Sequence, residues 1–188
     1  MSNRRAVFFD LQGTLGGEGF GHILNFSFYH FAIPAIKLIN ESGLIVVITT
    51  NQSDIGKGRL TYKQFEAKMG KLKSEVVENG GRVDAAYCCP HIPSDGCVCR
   101  KPLPGMLHRA ERDFDLCLPE CYVVGDMGVN DIGLAGAVGC KGILVRTGMG
   151  ESSLLEYRHE WREREADYIA NDVLDAALWV TRETRLKA

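Results

Sequence analysis

The chain has 188 residues, a length that suits one ordinary domain and suffices to bury a real core. Hydrophobic residues make up 45% and charged residues 24%, the balance of a globular protein in water, and a formal net charge of -2 supplies neither a basic field for nucleic acid nor an acidic tail. No apolar run reaches the roughly 18 residues of a membrane span, and the start Met1-Ser2-Asn3-Arg4-Arg5 lacks a signal-peptide pattern, which points to the cytoplasm.

Ala6–Phe9 is a short apolar run that ends at Asp10 and is expected as the first strand. A helix follows, opened by Pro34 and closed by Gly43, with Ile36, Leu38 and Ile39 as its apolar face. Residues 44–48 (LIVVI) read as the second strand. Thr61 and Gln64 form a capping-box pair ahead of a helix that reaches about Asn79, where Gly80-Gly81 ends it. Residues 83–87 make the third strand, and Pro104 starts a helix that carries Met106, Leu107 and Ala110 inward. Residues 122–124 and 142–145 are the fourth and fifth strands, with a helix over 132–138 started by Asn130 or Asp131 between them. The charged stretch 151–165 reads as a solvated helix or loop, and an amphipathic helix over 173–180 packs on the sheet edge. Continuous apolar strands alternating with helices predict an α/β fold, a doubly wound parallel sheet with right-handed crossovers. No repeat, low-complexity tract or linker divides the chain, so residues 1–188 are expected to form a single domain.

Ligands of such sheets sit beyond the carboxyl ends of the strands. Those ends carry Asp10-Leu11-Gln12-Gly13-Thr14, then Thr49-Thr50-Asn51-Gln52, then Arg100-Lys101-Pro102, then Gly125-Asp126 with Asp131 beyond. One rim therefore receives carboxylates, a hydroxyl and a cation. Phosphoryl transfer needs such a set: a carboxylate attacks phosphorus, a divalent cation offsets repulsion between two carboxylates, and a hydroxyl and a lysine hold phosphate oxygens.

At this point the sequence resembles the haloacid-dehalogenase (HAD) superfamily, whose four motifs are matched by Asp10–Thr14, Thr50, Lys101 and Gly125-Asp126 with Asp131. Thr50-Asn51-Gln52-Ser53 with Gly58, and Cys-Pro-His followed by Cys-x-Cys-Arg-Lys-Pro, resemble the minimal-cap subgroup of D-glycero-D-manno-heptose 1,7-bisphosphate and histidinol-phosphate phosphatases. The resemblance implies a HAD-like Rossmannoid phosphatase with Asp10 as nucleophile. It implies Mg²⁺ held by Asp10, the backbone carbonyl of Gln12 and Asp126. Thr50 and Lys101 would grip the transferring phosphoryl group, Asn51 and Arg100 would contact phosphate or substrate, and Asp131 would orient Lys101 or Mg²⁺-bound water from behind. The partner is then a phosphorylated small molecule, with heptose bisphosphate the leading substrate. Asp54 and Gly56-Lys57 depart from the usual small residues after Thr-Asn-Gln, which bears on sugar specificity. No nucleic acid or membrane partner is expected, and oligomeric state is not legible, a monomer being compatible.

Four of the seven cysteines crowd into Cys88, Cys89, Cys97 and Cys99, while Cys117, Cys121 and Cys140 are scattered among apolar neighbours as small buried hydrophobes. Without a secretory signal the cluster reads as a metal site. Cys89, His91, Cys97 and Cys99 make C-x-H-x₅-C-x-C, ligands for a closed tetrahedral Zn²⁺ that would order the loop 88–102. Cys88 is the alternative to Cys89. The related phosphatases use this ligand order, and the metal would be structural, holding Arg100 and Lys101.

HAD phosphatases carry a second Asp two residues after the nucleophile as general acid and base; here that position is Gln12, whose amide can hydrogen-bond but cannot transfer a proton. General acid-base help is worth roughly 10²–10⁴ in rate. Three outcomes are open: a slow enzyme, a substrate whose leaving group needs no proton (an anomeric or acyl phosphate), or rescue by Glu18 or His22 in the glycine-rich loop. A non-catalytic descendant that still binds phosphate is the alternative function. Gly17-x-Gly19-x-Gly21 lacks the GxGxxG spacing, and Gly56-Lys57-Gly58 lacks the partner glycine and Ser/Thr of a P-loop, so nucleotide-cofactor readings fall away.

Overall fold

A computed structural model of the chain describes residues 4–186. The reading of the first three residues as a start without a signal, and the last two residues of the expected domain, lie outside that range. Six parallel strands form one sheet: β1 Ala6–Phe9, β2 Ile45–Asn51, β3 Ala85–Cys89, β4 Tyr122–Gly125, β5 Lys141–Val145 and β6 Tyr168–Ala170, in the order β3-β2-β1-β4-β5-β6. The helices are α1 Ala32–Glu41, α2 Ser53–Gly56, α3 Tyr62–Glu78, α4 Gly105–Phe114, α5 Gly133–Val138, α6 Gly150–Leu154 and α7 Val173–Leu186.

Successive strand side chains point to opposite faces, and both faces are covered. Val7, Phe9, Val46, Ile48 and Val124 pack with Ile36, Leu72 and Val180 from α1, α3 and α7. Ala6, Phe8, Ile45, Val47 and Val123 pack with Leu107 of α4 and Leu134 of α5. This is why the strands read as unbroken apolar runs rather than as alternating ones. The chain runs outward from β1 to β2 and β3, then returns to the other side of β1 for β4. The carboxyl ends of β1 and β4 therefore flank the switch point, where such sheets hold ligands. No helix among the described residues is long and apolar enough to cross a membrane.

Several sequence expectations are corrected. The sheet has six strands, not five, since the three-residue Tyr168–Ala170 pairs with β5. β2 continues past Ile48 to Asn51, which carries Thr49 and Thr50 on an extended backbone. α1 begins at Ala32, two residues before Pro34. The capping box of Thr61 and Gln64 forms as read. A π-helical turn, Gly128–Ile132, precedes α5, and α7 runs to Leu186 rather than Val180. The stretch 151–165 is not merely solvated: Trp161 is buried there, packed with Ile132 and Leu144. Cys121 and Cys140 are buried as expected, but Cys117 is only half-buried.

Candidate active site

The site is built from the first residues after β1 and β4, the last residues of β2 and the loop after β3. Lys101 is buried, and its Nζ lies 2.5 Å from Asp10 Oδ1, 2.7 Å from Asp131 Oδ1 and 3.2 Å from the carbonyl of Thr49. Asp126 is reached through Thr14, whose Oγ1 is 3.4 Å from both Asp10 Oδ2 and Asp126 Oδ1. Two aspartates remote in sequence thus face one another across a single hydroxyl.

The close approach depends on glycines. A Cβ on Gly13 or Gly148, both at positive φ, would fall 2.1 or 2.2 Å from Asp126 Oδ2. A Cβ on Gly125 would fall 2.1 Å from Asp131 Cγ. Each carboxylate is oriented by a backbone donor: Met149 N–H bonds Asp126 Oδ2 at 2.8 Å, and Met127 N–H bonds Asp131 Oδ2 at 3.0 Å.

Three carboxylates here face one ammonium, and the titration behaviour reflects it. Burial raises Asp10 to about 6, with Lys101 opposing the rise and Asp131 adding to it. Burial, then the charges of Asp10 and Asp131, hold Asp126 well above the ordinary carboxylate range. Burial alone would lower Lys101, but Asp10 and Asp131 hold its ammonium above the usual value. Without another cation the cluster is under-compensated. Hard oxygen donors around an excess of negative charge fit a divalent cation such as Mg²⁺.

The second strand end supplies Thr50, buried, whose Oγ1 accepts from Gln52 Nε2 at 2.8 Å. Asn51 brackets the Lys101 backbone, accepting from its N–H at 3.0 Å and donating to its carbonyl at 3.3 Å. The amide expected to meet phosphate is therefore engaged in holding Lys101, although Asn51 still lines the cavity. Arg100 Nη1 donates to Ser53 Oγ at 2.7 Å and to the carbonyl of His91 at 3.3 Å. A cavity of about 390 Å³ opens above these groups, with Asp10, Thr50, Arg100, Lys101, Asp126 and Asp131 in its wall.

Gln12 also lines this cavity, and both ends of its amide are engaged. Its Nε2 donates to the carbonyl of Gly21, and its Oε1 accepts from Gln52 Nε2 at 2.6 Å. Glu18 and His22 lie in a neighbouring cavity, on the other side of the Gln12–Gly21 contact. Neither lines the cavity that holds Asp10 and Lys101, although His22 Nε2 lies 3.9 Å from Asp54 Oδ2 in its wall. Gln52, which the sequence offers only as part of the Thr50-Asn51-Gln52-Ser53 motif and without a role, donates to both the Gln12 amide and the Thr50 hydroxyl. Asp54 and Lys57, noted in the sequence only as departures from pattern, also line the cavity.

The cysteine loop forms a second cluster. Cys89 Sγ is 3.5 Å from Cys97 Sγ, 3.1 Å from Cys99 Sγ and 3.5 Å from His91 Nδ1, which is 3.3 Å from Cys99 Sγ. These separations are slightly below the roughly 3.8 Å edge of a tetrahedron with a metal about 2.3 Å from each sulfur. Cys88 does not join: it packs on the opposite sheet face, as its place beside Cys89 in β3 requires. Burial raises the Cys97 thiol, but the Arg100 and Cys99 N–H groups outweigh it and bring the group down to about 7, whereas burial holds Cys89 and Cys99 above the ordinary thiol value.

Comparison with known proteins agrees with this geometry. The HAD-hydrolase-like family matches residues 98–176. A D-glycero-beta-D-manno-heptose-1,7-bisphosphate 7-phosphatase of Yersinia pestis is 36% identical over 167 residues, covering 83% of this chain and 88% of that one. The Haemophilus ducreyi phosphatase of the same name is 33% identical over 187 residues, covering 94% and 98%. The crystal structure of the D,D-heptose 1,7-bisphosphate phosphatase from Bordetella bronchiseptica, complexed with magnesium and phosphate, superposes with a TM-score of 0.84 at 28% identity, covering 96% of this chain and 99% of that one. The chain belongs to the HAD superfamily of hydrolases, in its heptose-bisphosphate phosphatase branch.

Proposed function

We propose that the protein is a Mg²⁺-dependent phosphomonoester hydrolase that works through an aspartyl-phosphate on Asp10, with a phosphorylated sugar such as heptose 1,7-bisphosphate as substrate. The observation that carries this reading is the placement of Lys101 Nζ between Asp10 and Asp131 while Asp126 meets Asp10 through Thr14. Phosphatase relatives at 33–36% identity favour hydrolysis over a phosphate-binding protein without catalysis.

Asp10 Oδ attacks phosphorus, the bond to the ester oxygen breaks, and its electron pair leaves with that oxygen. Lys101 and the Thr50 hydroxyl hold non-bridging phosphoryl oxygens. Asp10, Asp126 and the backbone carbonyl of Gln12 would hold Mg²⁺, which would neutralise the carboxylates and the phosphate charge. Asp131 and Asn51 keep Lys101 in place, and Arg100 meets the distal part of the substrate. Water then hydrolyses the acyl phosphate and restores Asp10. Gln12 can orient the leaving oxygen or the water but delivers no proton, so the leaving group is protonated from solvent or by the substrate itself.

Cys89, His91, Cys97 and Cys99 would hold a structural Zn²⁺ that orders the loop carrying Arg100 and Lys101. Reduced thiols and a zinc loop suit the cytoplasm, and the whole chain acts as one domain. The test is phosphate release from a panel of sugar phosphates with and without Mg²⁺. Turnover should require the metal and disappear in Asp10→Asn; turnover that survives this substitution excludes the aspartyl-phosphate.

A further inference from the structure

Along one wall of the cavity the hydrogen bonds run in a single direction, and Gln52 sets it. Gln52 lies between β2 and α2, with its backbone N–H on the Cys89 carbonyl at 2.8 Å and its side chain buried. A polar side chain buried to that degree is expected to be hydrogen-bonded. Its Nε2 lies 2.6 Å from Gln12 Oε1 and 2.8 Å from Thr50 Oγ1. The direction is fixed at the Gly21 carbonyl, which can only accept. The Gln12 amide therefore turns its nitrogen to Gly21 and leaves Oε1 toward Gln52. An amide oxygen also accepts, so Gln52 turns its nitrogen inward and spends one proton on Gln12 and the other on Thr50. Thr50 Oγ1 is then an acceptor toward Gln52, and its own proton is left for another partner.

Thr50 shares the wall of the cavity with Asp10, Gln12 and Lys101. The same ordering leaves Gln12 with an N–H to spare rather than a carbonyl, because its nitrogen carries two protons and Gly21 takes one. Around the place of the phosphoryl group the wall thus offers donors: the Lys101 ammonium, the Thr50 O–H and the Gln12 N–H. Ionised phosphoryl oxygens only accept. Donors already held in this sense need no reorganisation when charge develops on those oxygens.

Resting on the phosphatase reading for the ligand, we infer that Gln52 is a positioning residue: it aims the Thr50 hydroxyl proton at a non-bridging phosphoryl oxygen and keeps the Gln12 amide from reversing. It acts through Thr50 and Gln12, not on the reacting atoms. Gln52→Glu keeps the shape of the side chain but supplies only acceptors. It draws the Thr50 proton inward and sets a carboxylate oxygen against Gln12 Oε1, so Thr50 presents a lone pair to the phosphoryl group. Gln52→Met keeps the length, adds no charge, and leaves the Thr50 hydroxyl to choose among about three staggered positions.

The test is a double-mutant cycle with Thr50→Val, read by calorimetry on the Mg²⁺-loaded protein with methylphosphonate, which cannot be hydrolysed. Thr50→Val should weaken binding at least about tenfold, the worth of one hydrogen bond to a charged group. Gln52→Met should weaken it about threefold, and Gln52→Glu at least about tenfold. In the Thr50→Val background the Gln52→Met loss should shrink to about 1.5-fold or less, and the Gln52→Glu loss should be at least about threefold smaller, because the hydroxyl through which Gln52 acts is gone. Damage to the fold alone would weaken binding equally in both backgrounds, and circular dichroism will verify that the variants keep their secondary structure. Losses that simply multiply, or a Gln52→Glu protein that binds like its parent, overturn the inference; phosphate release by the parent protein then leaves the phosphatase reading intact. Losses that depend on Thr50 in a protein that hydrolyses no ester support the positioning role and refute the phosphatase reading instead. A parent protein that does not bind methylphosphonate refutes both.

Discussion

Replacing Asp10 with Asn should stabilise the protein in the absence of Mg²⁺ while abolishing its turnover. Burial raises the folded-state Asp10 carboxyl to about 6 from an ordinary 3.8. A value raised by folding means that the native state favours the protonated acid. That contribution is intact below about 3.8 and is lost as pH rises through about 6. The difference of about 2.2 pH units, at about 1.36 kcal/mol each, makes the ionised side chain cost about 3 kcal/mol at neutral pH. Asn is neutral throughout and keeps a carbonyl for Lys101. Its advantage should therefore be near zero at pH 4, grow between pH 4 and 6, and level off at about 3 kcal/mol above that. In a chain of this size the plateau corresponds to roughly 6–12 °C in Tm. Urea unfolding followed by the fluorescence of Trp161 and Trp179, from pH 4 to 8 without added Mg²⁺, measures the curve. A chelator is avoided because it would also strip the Zn²⁺ proposed for the cysteine cluster. Mg²⁺ should narrow the gap, because it stabilises the protein that retains the Asp10 ligand. An Asn variant that is less stable at pH 7.5, or whose advantage does not vary with pH, refutes the electrostatic reasoning.

Gln12→Asp should raise kcat for alkyl phosphates at least about tenfold by restoring a proton donor, with little gain for esters of acidic phenols; no gain on any alkyl substrate means that the missing acid does not limit the rate. Removing zinc should lower activity at least about tenfold and broaden or lower thermal unfolding, with recovery on Zn²⁺ but not on Mg²⁺ alone; elemental analysis should find about one zinc per chain. Gly125→Ala should lower kcat by about 10², because its Cβ would fall 2.1 Å from Asp131 Cγ and force away the carboxylate that anchors Lys101. Circular dichroism would check that this variant keeps its secondary structure.

How much of this was legible in the sequence depends on the range of the interactions. β1, β2 and β4 announced themselves because a strand covered on both faces is apolar at every position. The capping box of α3 is a four-residue signal and was readable for the same reason, its locality. β6 escaped because it has three residues, with Ile169 exposed and only Ala170 fully buried. The burial of Trp161 was hidden by the charged residues around it, and appears only when α6 and the segment after it fold back over Gly128. At the site, residue types and chain order pointed to a common rim for Asp10, Lys101, Asp126 and Asp131. What could not be read was the orientation of amides. Gln12 is engaged by Gly21 and Gln52, and Asn51 by Lys101, through contacts that span 9 to 50 residues. The choice of Cys89 over Cys88 became definite only when β3 sent the two thiols to opposite faces.

The proposed chemistry requires Asp10 to bond to phosphorus while it shares a cation with Asp126. A crystal grown with Mg²⁺ and beryllium trifluoride, which mimics a phosphoryl group on a carboxylate, tests this most directly. Beryllium should be bonded to an Asp10 oxygen, with its fluorines held by Thr50 and Lys101 and Mg²⁺ between Asp10 and Asp126. Beryllium on any other side chain, or Mg²⁺ bound without Asp126, would contradict it.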